Sequence, residues 1–188
     1  MFSPDALIAA VKRHASGDGL WLPDWHAKGA TIFDQGEERN LIILQLSGLT
    51  KLAYQGADGS EWIKSLIVDA GLFGTTAQDG EVSRFAAICI EPSRLVSLPG
   101  AWLRRAVGRD AGLAEQVAAF NRWLVVRKQA REEALLCLTA EQRYLALLRE
   151  DAALLARLTQ ADIARYLRIT PIAFSRIKRR IAARISPE

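Results

Sequence analysis

The stretch from Leu158 to Ile181, LTQADIARYLRITPIAFSRIKRRI, decides how this chain is read. Two short amphipathic segments lie on either side of Arg168, Ile169 and Thr170. Thr159 can cap the first segment, and Asp162 at its third position faces the positive end of that helix. Ile163 and Leu167 form its apolar stripe, and Ala164 is small where a second helix can approach closely. Thr170 is a good N-cap for the second segment, and Pro171 fits the next position because it has no N–H to leave unpaired. That second helix is expected to bury Phe174, Ile177 and Ile181. Its other face offers Ile172, Ser175, Arg176, Arg179 and Arg180. Two helices joined by a tight turn are what a helix-turn-helix needs. Its second helix enters the major groove, where an arginine can donate two hydrogen bonds to a guanine edge while neighbouring Arg and Lys grip phosphates. One position departs from the usual pattern. The turn commonly carries glycine at the place of Arg168, because the backbone there is left-handed, and an arginine costs ~1 kcal/mol. The alternative is an ordinary helical pair that closes a core and leaves a solvated basic face.

Charge favours the first reading. From Thr159 to Glu188, seven Lys/Arg stand against Asp162 and Glu188, a surplus of five positive charges in a chain whose net charge is +4. The preceding 158 residues therefore sum to about −1. A basic tail on a near-neutral body is the footprint of a polyanion binder. The 188 residues suffice for one large domain or two small ones, and a composition half hydrophobic and a quarter charged is that of a globular protein. Cys89 and Cys137 lie far apart inside apolar runs, and are expected as small buried hydrophobes in a reducing compartment. The start of the sequence carries charge throughout and reads as no signal peptide, and the longest apolar runs are too short to span a bilayer. A cytosolic protein without membrane association is expected.

Upstream the texture changes twice. Ser3 and Pro4 open a helix with an apolar stripe at Leu7, Ile8 and Val11, which Gly17 stops. From Leu20 to about Pro99, short runs rich in β-branched residues (ATIF, LIILQL, TKLAY, EWIKSLIV, FAAICI and RLVSL) alternate with turn sequences such as DQGEERN and QGADGS. Many short strands at this spacing predict a barrel-like or sandwiched antiparallel fold. AWLRRAV reads as a short helix, with a break bracketed by Gly108 and Gly112. Ala111 to Cys137 then runs about 27 residues without proline, roughly 40 Å of helix. Leu113, Val117, Phe120 and Leu124 step by four, three and four along it, a seam suited to pairing with another helix; Arg127, Lys128 and Arg131 interrupt it. These four residues are the expected dimer interface, the alternative being a helix packed along its own β domain. Thr139 and Gln142 form a capping box that opens the helical tail.

With the tail read this way, the chain from about Lys28 to Ile181 resembles the Crp/Fnr family of bacterial transcription regulators. KGATIFDQGEERNLIILQLSGLTKLAY resembles the first half of that family's cyclic-nucleotide-binding β-roll, with Phe33, Gly36, Leu44 and Gly48 in pattern. DGSEWIKSLIVDAGLFG resembles the approach to its ligand cassette. The long helix takes the place of the family's dimerisation helix, and the segment from Leu138 to Ile181 is the most specific match. The resemblance implies an α+β protein in three parts: a β-roll sensor-like domain with an N-terminal helix over residues 1–108, a dimerisation helix over 109–138, and a helix-turn-helix domain over 139–188. It implies a homodimer on double-stranded DNA. Thr170, Pro171, Ile172, Ser175, Arg176 and Arg179 are its groove-facing set, and Arg176 falls where the family has a base-contacting arginine. Arg180 joins them from the reading of the helix face.

The resemblance fails at the ligand cassette. Members that bind cyclic nucleotides carry Glu after Phe-Gly to hold the ribose, and Arg before a small residue and Ala to hold the phosphate. Here Thr75 follows Gly74, and Arg84 is followed by the bulky Phe85. A threonine cannot accept as a carboxylate does, and the ring takes up pocket volume, though Arg84 can still bind an anion. The pocket set is thus Gly74, Thr75, Arg84 and Phe85, with cyclic AMP not expected as the switch. A small anionic ligand and RNA polymerase remain candidate partners, the latter without an identifiable surface. Two cysteines cannot hold an iron–sulfur centre, His14 and His26 have no second ligand nearby, and the tryptophans read as core and interface residues, so no cofactor or metal is expected. The sequence ends seven residues after Ile181, where longer relatives carry a β-hairpin wing. Binding is therefore expected to lean on the recognition helix and to fall steeply with salt. No nucleophile–base pairing or phosphate-cradling glycine loop points to an enzyme. The competing function is a signalling or protein-interaction module whose tail is only packed.

Overall fold

The computed structural model describes residues 2–74 and 82–185. The chain runs α1 (Pro4–Gly17), β1 (Asp24–His26), β2 (Thr31–Phe33), β3 (Leu41–Ser47), β4 (Leu49–Gln55), β5 (Glu61–Val68), β6 (Gly71–Gly74), β7 (Ala86–Cys89) and β8 (Ser93–Pro99). It continues as α2 (Gly100–Arg109), α3 (Ala111–Cys137), α4 (Ala140–Glu150), α5 (Ala152–Arg157), α6 (Gln160–Tyr166) and α7 (Pro171–Ile185). The eight strands form two four-stranded antiparallel sheets, ordered β1-β8-β3-β6 and β2-β7-β4-β5. Facing residues of the two sheets, among them Phe33, Ile43, Leu52, Phe73 and Leu95, form the core of the roll.

The unbroken apolar run at the start of β3 has a structural cause. Ile43 points into the roll, whereas Leu44 points out to a second core formed with α1, α2 and α3. A strand covered on both faces has no reason to alternate. Between β3 and β4 the chain turns at Gly48, with φ +101°. A Cβ there would lie 2.6 Å from the Pro92 carbonyl oxygen, so the turn requires glycine twice over. The strands β1 and β6 are too short, at three and four residues, to announce themselves in the sequence.

The helix starts follow the expected chemistry. The Ser3 hydroxyl accepts from the Ala6 amide at 3.3 Å, and both halves of the Thr139–Gln142 capping box are made. The break before the long helix falls between Gly108 and Gly112, as expected, and is made by the residue between them. Gly108 lies inside α2 and Gly112 inside α3; the chain changes direction at Asp110, whose carboxylate accepts from the Leu113 amide at 2.8 Å and caps α3. Cys89 is buried as expected, but Cys137 is exposed, because helical spacing carries it well round α3 from Leu113 and Phe120. Trp102 is a core residue and donates its indole N–H to Asp18 at 2.7 Å, while Trp25 stands exposed on β1. Among the described residues no helix is long and apolar enough to cross a membrane.

Candidate nucleic-acid interface and sensor pocket

The tail folds as two helices on a shared core. The Thr159 hydroxyl accepts from the Asp162 amide at 3.1 Å and donates to the Asp162 carboxylate at 2.6 Å, which fixes the start of α6. Leu167 closes that helix, and Arg168 takes φ +61°, the left-handed conformation expected of this turn. Its guanidinium lies 4.6 Å from the ring centre of Trp62 on β5, a contact that offsets part of the strain. The Thr170 hydroxyl accepts from the Ala173 amide at 3.2 Å and starts α7. Phe174, Ile177 and Ile181 are buried, with Phe174 edge-on to Tyr144 of α4 at 5.0 Å.

The opposite face of α7 is open. Thr170, Pro171, Ile172, Ser175, Arg176 and Arg179 are all exposed, Ile172 at 69%. Arg176 and Arg179 have no ion pair among the described residues, so their guanidinium donors are available to a polyanion. Arg180 is placed differently. It lies on the flank of α7 that turns toward α4, where Glu141 pairs with it and, at 2.6 Å, with Arg184. Helical spacing sets Arg180 about 100° round from Arg179, and that step takes it off the outward face.

The described sensor residues lie at the end of β6 and just before β7. Gly74 ends β6 opposite Ile42, where a Cβ would run into the Leu41 carbonyl oxygen. Thr75 lies outside the described residues. Arg84 is exposed, and Phe85 packs edge-on against Phe33 of the roll core at 5.6 Å. The Lys64 ammonium sits 3.8 Å above the Phe85 ring. Burial, together with repulsion from Lys128, holds this lysine down at about 8. A cleft of about 830 Å³ runs between β5 and α3, lined by Trp62, Lys64, Leu66, Lys128 and Arg131 among others. Gly74, Arg84 and Phe85 do not line it.

The stripe on α3 is used within the subunit. Leu113 is 1% and Phe120 7% exposed, both packed with α1, α2 and the outer face of β3 and β8, and Val117 and Leu124 pack against the same core. Leu113 and Phe120 are thus covered within the subunit, whereas Val117 and Leu124 are only partly covered. The large apolar residues that α3 leaves exposed are Trp123, Val125, Val126 at 63%, Leu135 and Leu136 at 78%. Two further arginines carry structural work with no motif to mark them. Arg131 donates to the carbonyls of Ile63 and Lys64 on β5, each at 3.1 Å, and of Tyr166 at the end of α6, at 2.6 Å. Arg157 binds the turns of the roll. The only trace of Arg131 in the sequence was the polar interruption of the α3 stripe.

No family model matches the sequence, and no curated protein matches it. Solved structures do. FixK2 of Bradyrhizobium japonicum superposes with a TM-score of 0.74 at 20% identity, over 87% of this chain and 85% of that one. The c-di-GMP-responsive global regulator CLP of Xanthomonas campestris superposes at 0.79 and 11% identity, over 94% and 92%. A transcriptional regulator of the CRP family from Thermus thermophilus does so at 0.68 and 18% identity, over 85% and 84%. The chain has the Crp/Fnr-type regulator fold. Within that fold the two sheets are the cyclic-nucleotide-binding-like β-roll, and α6 with α7 is the helix-turn-helix.

Proposed function

We propose that the protein is a DNA-binding transcription regulator of the Crp/Fnr type. It acts as a homodimer that reads a pseudo-palindromic site through α7 of each copy, and cyclic AMP is not its switch. The observation that carries this reading is the outward face of α7. Ile172, Ser175, Arg176 and Arg179 stand exposed behind a capped N-terminus and a left-handed turn, and neither arginine is ion-paired among the described residues. Such a face can place an arginine on a guanine edge and an apolar side chain on a thymine methyl, and these contacts specify sequence. Two recognition helices on a two-fold axis would sit ~34 Å apart, one turn of DNA. The solved neighbours, a global regulator and a transcriptional regulator among them, support the same reading.

The dimer seam lies on the open side of α3. Arg122, Val126, Gln129, Glu133 and Leu136 recur at steps of four and three and are all exposed. That spacing suits a parallel helix pair, in which polar positions set register and Val126 and Leu136 supply apolar contact. At the cassette, Phe85 holds space against Phe33, and Arg84 points to solvent, an arrangement that favours no cyclic nucleotide.

The test is fluorescence anisotropy on duplexes selected from a random pool, with and without cyclic AMP. Wild type is expected to bind one palindromic duplex equally in both conditions, and Arg176→Ala to lose ~1–3 kcal/mol of specific binding only. Equal binding of every duplex by wild type would sink the proposal in favour of an interaction module.

A further inference from the structure

The helix-turn-helix unit does not hang from the end of α3; it is docked on the flank of the roll. Leu49 and Ile90 of the roll share a core with Leu154, Leu155 and Leu158 of α5 and the residue after it, and with Ile163 of α6. The edges of this interface are pinned by arginines. At one edge the Arg157 guanidinium reaches three separate turns of the roll. It donates from Nε and Nη2 to the Glu91 carboxylate, between β7 and β8, with the shortest bond at 2.7 Å. It donates from Nη1 and Nη2 to Asp69, between β5 and β6, at 2.9 and 3.2 Å. Nη2 also reaches the Gly48 carbonyl oxygen, between β3 and β4, at 3.2 Å. Its hydrogen bonds hold the Asp69 carboxyl below the usual range, and Asp69 itself sits at φ +47° in the turn. At the other edge Arg131 joins β5 to the end of α6 through three carbonyls. Between them Lys51 of β4 lies 2.7 Å from Glu61 and 3.7 Å from Asp162 of α6, and Arg165 lies 3.3 Å from Glu61.

None of these residues belongs to the outward face of α7, which stays exposed in the docked posture. A dock that buried the recognition face would inhibit; this one leaves it free and fixes its direction. In a dimer, where two recognition helices must meet successive grooves together, a fixed direction raises the fraction of molecules ready to bind. Apparent affinity scales with that fraction. The fork of a guanidinium is what the junction requires, because a single ammonium cannot serve two carboxylates and a carbonyl in one plane.

We propose that Arg157 is a positioning residue for DNA reading, holding the helix-turn-helix unit on the roll in its binding posture so that reading does not wait for an effector. The proposal rests on the DNA-binding function above. Its test compares wild type, Arg157→Ala, Arg157→Lys and, from the roll side, Glu91→Gln on the selected duplex and on a scrambled one. Amide hydrogen exchange over residues 152–169 is followed in parallel. Arg157→Ala is expected to raise Kd for the selected duplex about tenfold while leaving the scrambled duplex unchanged, as the ready fraction falls. Exchange in α5 and α6 should quicken while exchange in β3 and β8 stays the same. Glu91→Gln should move both readings the same way, and Arg157→Lys should recover part of each. Wild-type or tighter binding by Arg157→Ala would overturn the proposal, tighter binding by showing that the docked posture restrains reading. A wild type that selects no duplex would bring down the DNA-binding function and this proposal with it; retained affinity in Arg157→Ala would bring down this proposal alone.

Discussion

Arg168 shows how a single residue can be costly and still in place. Its φ of +61° disfavours any side chain with a Cβ, and its guanidinium regains something on Trp62. Separating the two effects takes two variants. Arg168→Gly removes the strain and the stack together, whereas Arg168→Ala keeps the strain and loses the stack. Chemical denaturation should therefore find the alanine variant less stable than the glycine variant by about 1 kcal/mol; equal stabilities would mean that the turn is not held left-handed. Lys64 makes a second test. Its folded value of about 8 lies below the ordinary 10.5 because burial, and then Lys128, disfavour the charge. Below about 8 the lysine is charged in both states and the fold bears the cost of its burial. Between 8 and 10.5 the folded state loses the proton first, so stability rises with pH through that window and levels above it. Lys64→Met should flatten the rise and be the more stable protein near neutrality, as read from unfolding midpoints across pH. The sequence carries Arg176 and Arg179 openly, because helical spacing alone sets them opposite Phe174 and Ile177. It carries Lys64 only as one polar residue in a strand, since what makes it unusual is burial and the neighbouring Lys128, 64 positions away in the chain.

At the scale of elements, periodicity identified α3 and its ends, and the 113–124 stripe is real. Periodicity reports that one face of a helix is covered, though, not what covers it. The cover is α1, α2 and the outer face of β3 and β8, residues more than 90 positions apart at their extremes, and no local pattern carries that information. The break between Gly108 and Gly112 was legible, but the capping carboxylate of Asp110 that makes it was not. The assignment of α3's two faces predicts opposite results for two substitutions. Phe120→Ala should cost about 3–5 kcal/mol of stability, since it empties a site packed against Phe2 and the α1 core. Leu136→Glu should leave the unfolding free energy of the subunit nearly unchanged and shift the dimer toward monomer in sedimentation velocity. If Leu136→Glu remains dimeric at the same concentration, the seam is elsewhere.

The whole molecule divides its charge unevenly, and the structure says how much of the basic tail is free. Of the seven tail cations, Arg165 is engaged with Glu61, Arg168 with Trp62, and Arg180 and Arg184 with Glu141. Arg176 and Arg179 stand open, and Lys178 lies over Phe174. A count of basic residues therefore overstates the number of phosphates the tail can grip, and Glu141 is the residue that withholds two of them. Each phosphate neutralised adds ~0.9 to the slope of log affinity against log salt. Arg179→Ala, which removes an open cation, should lower that slope by about 1, whereas Arg180→Ala, which removes one already paired, should lower it by much less. Glu141→Gln should act in the opposite direction. With the carboxylate gone, Arg180 and Arg184 turn to the DNA backbone, affinity for a scrambled duplex rises, and the slope steepens. Since phosphate contacts carry no sequence, the preference for the selected duplex over the scrambled one should shrink in the same variant. Titrations of wild type, Arg180→Ala and Glu141→Gln across a salt series measure all three quantities at once. Should Glu141→Gln bind with the wild-type slope, Glu141 is a structural partner of α7 and does not set the grip of the tail on DNA.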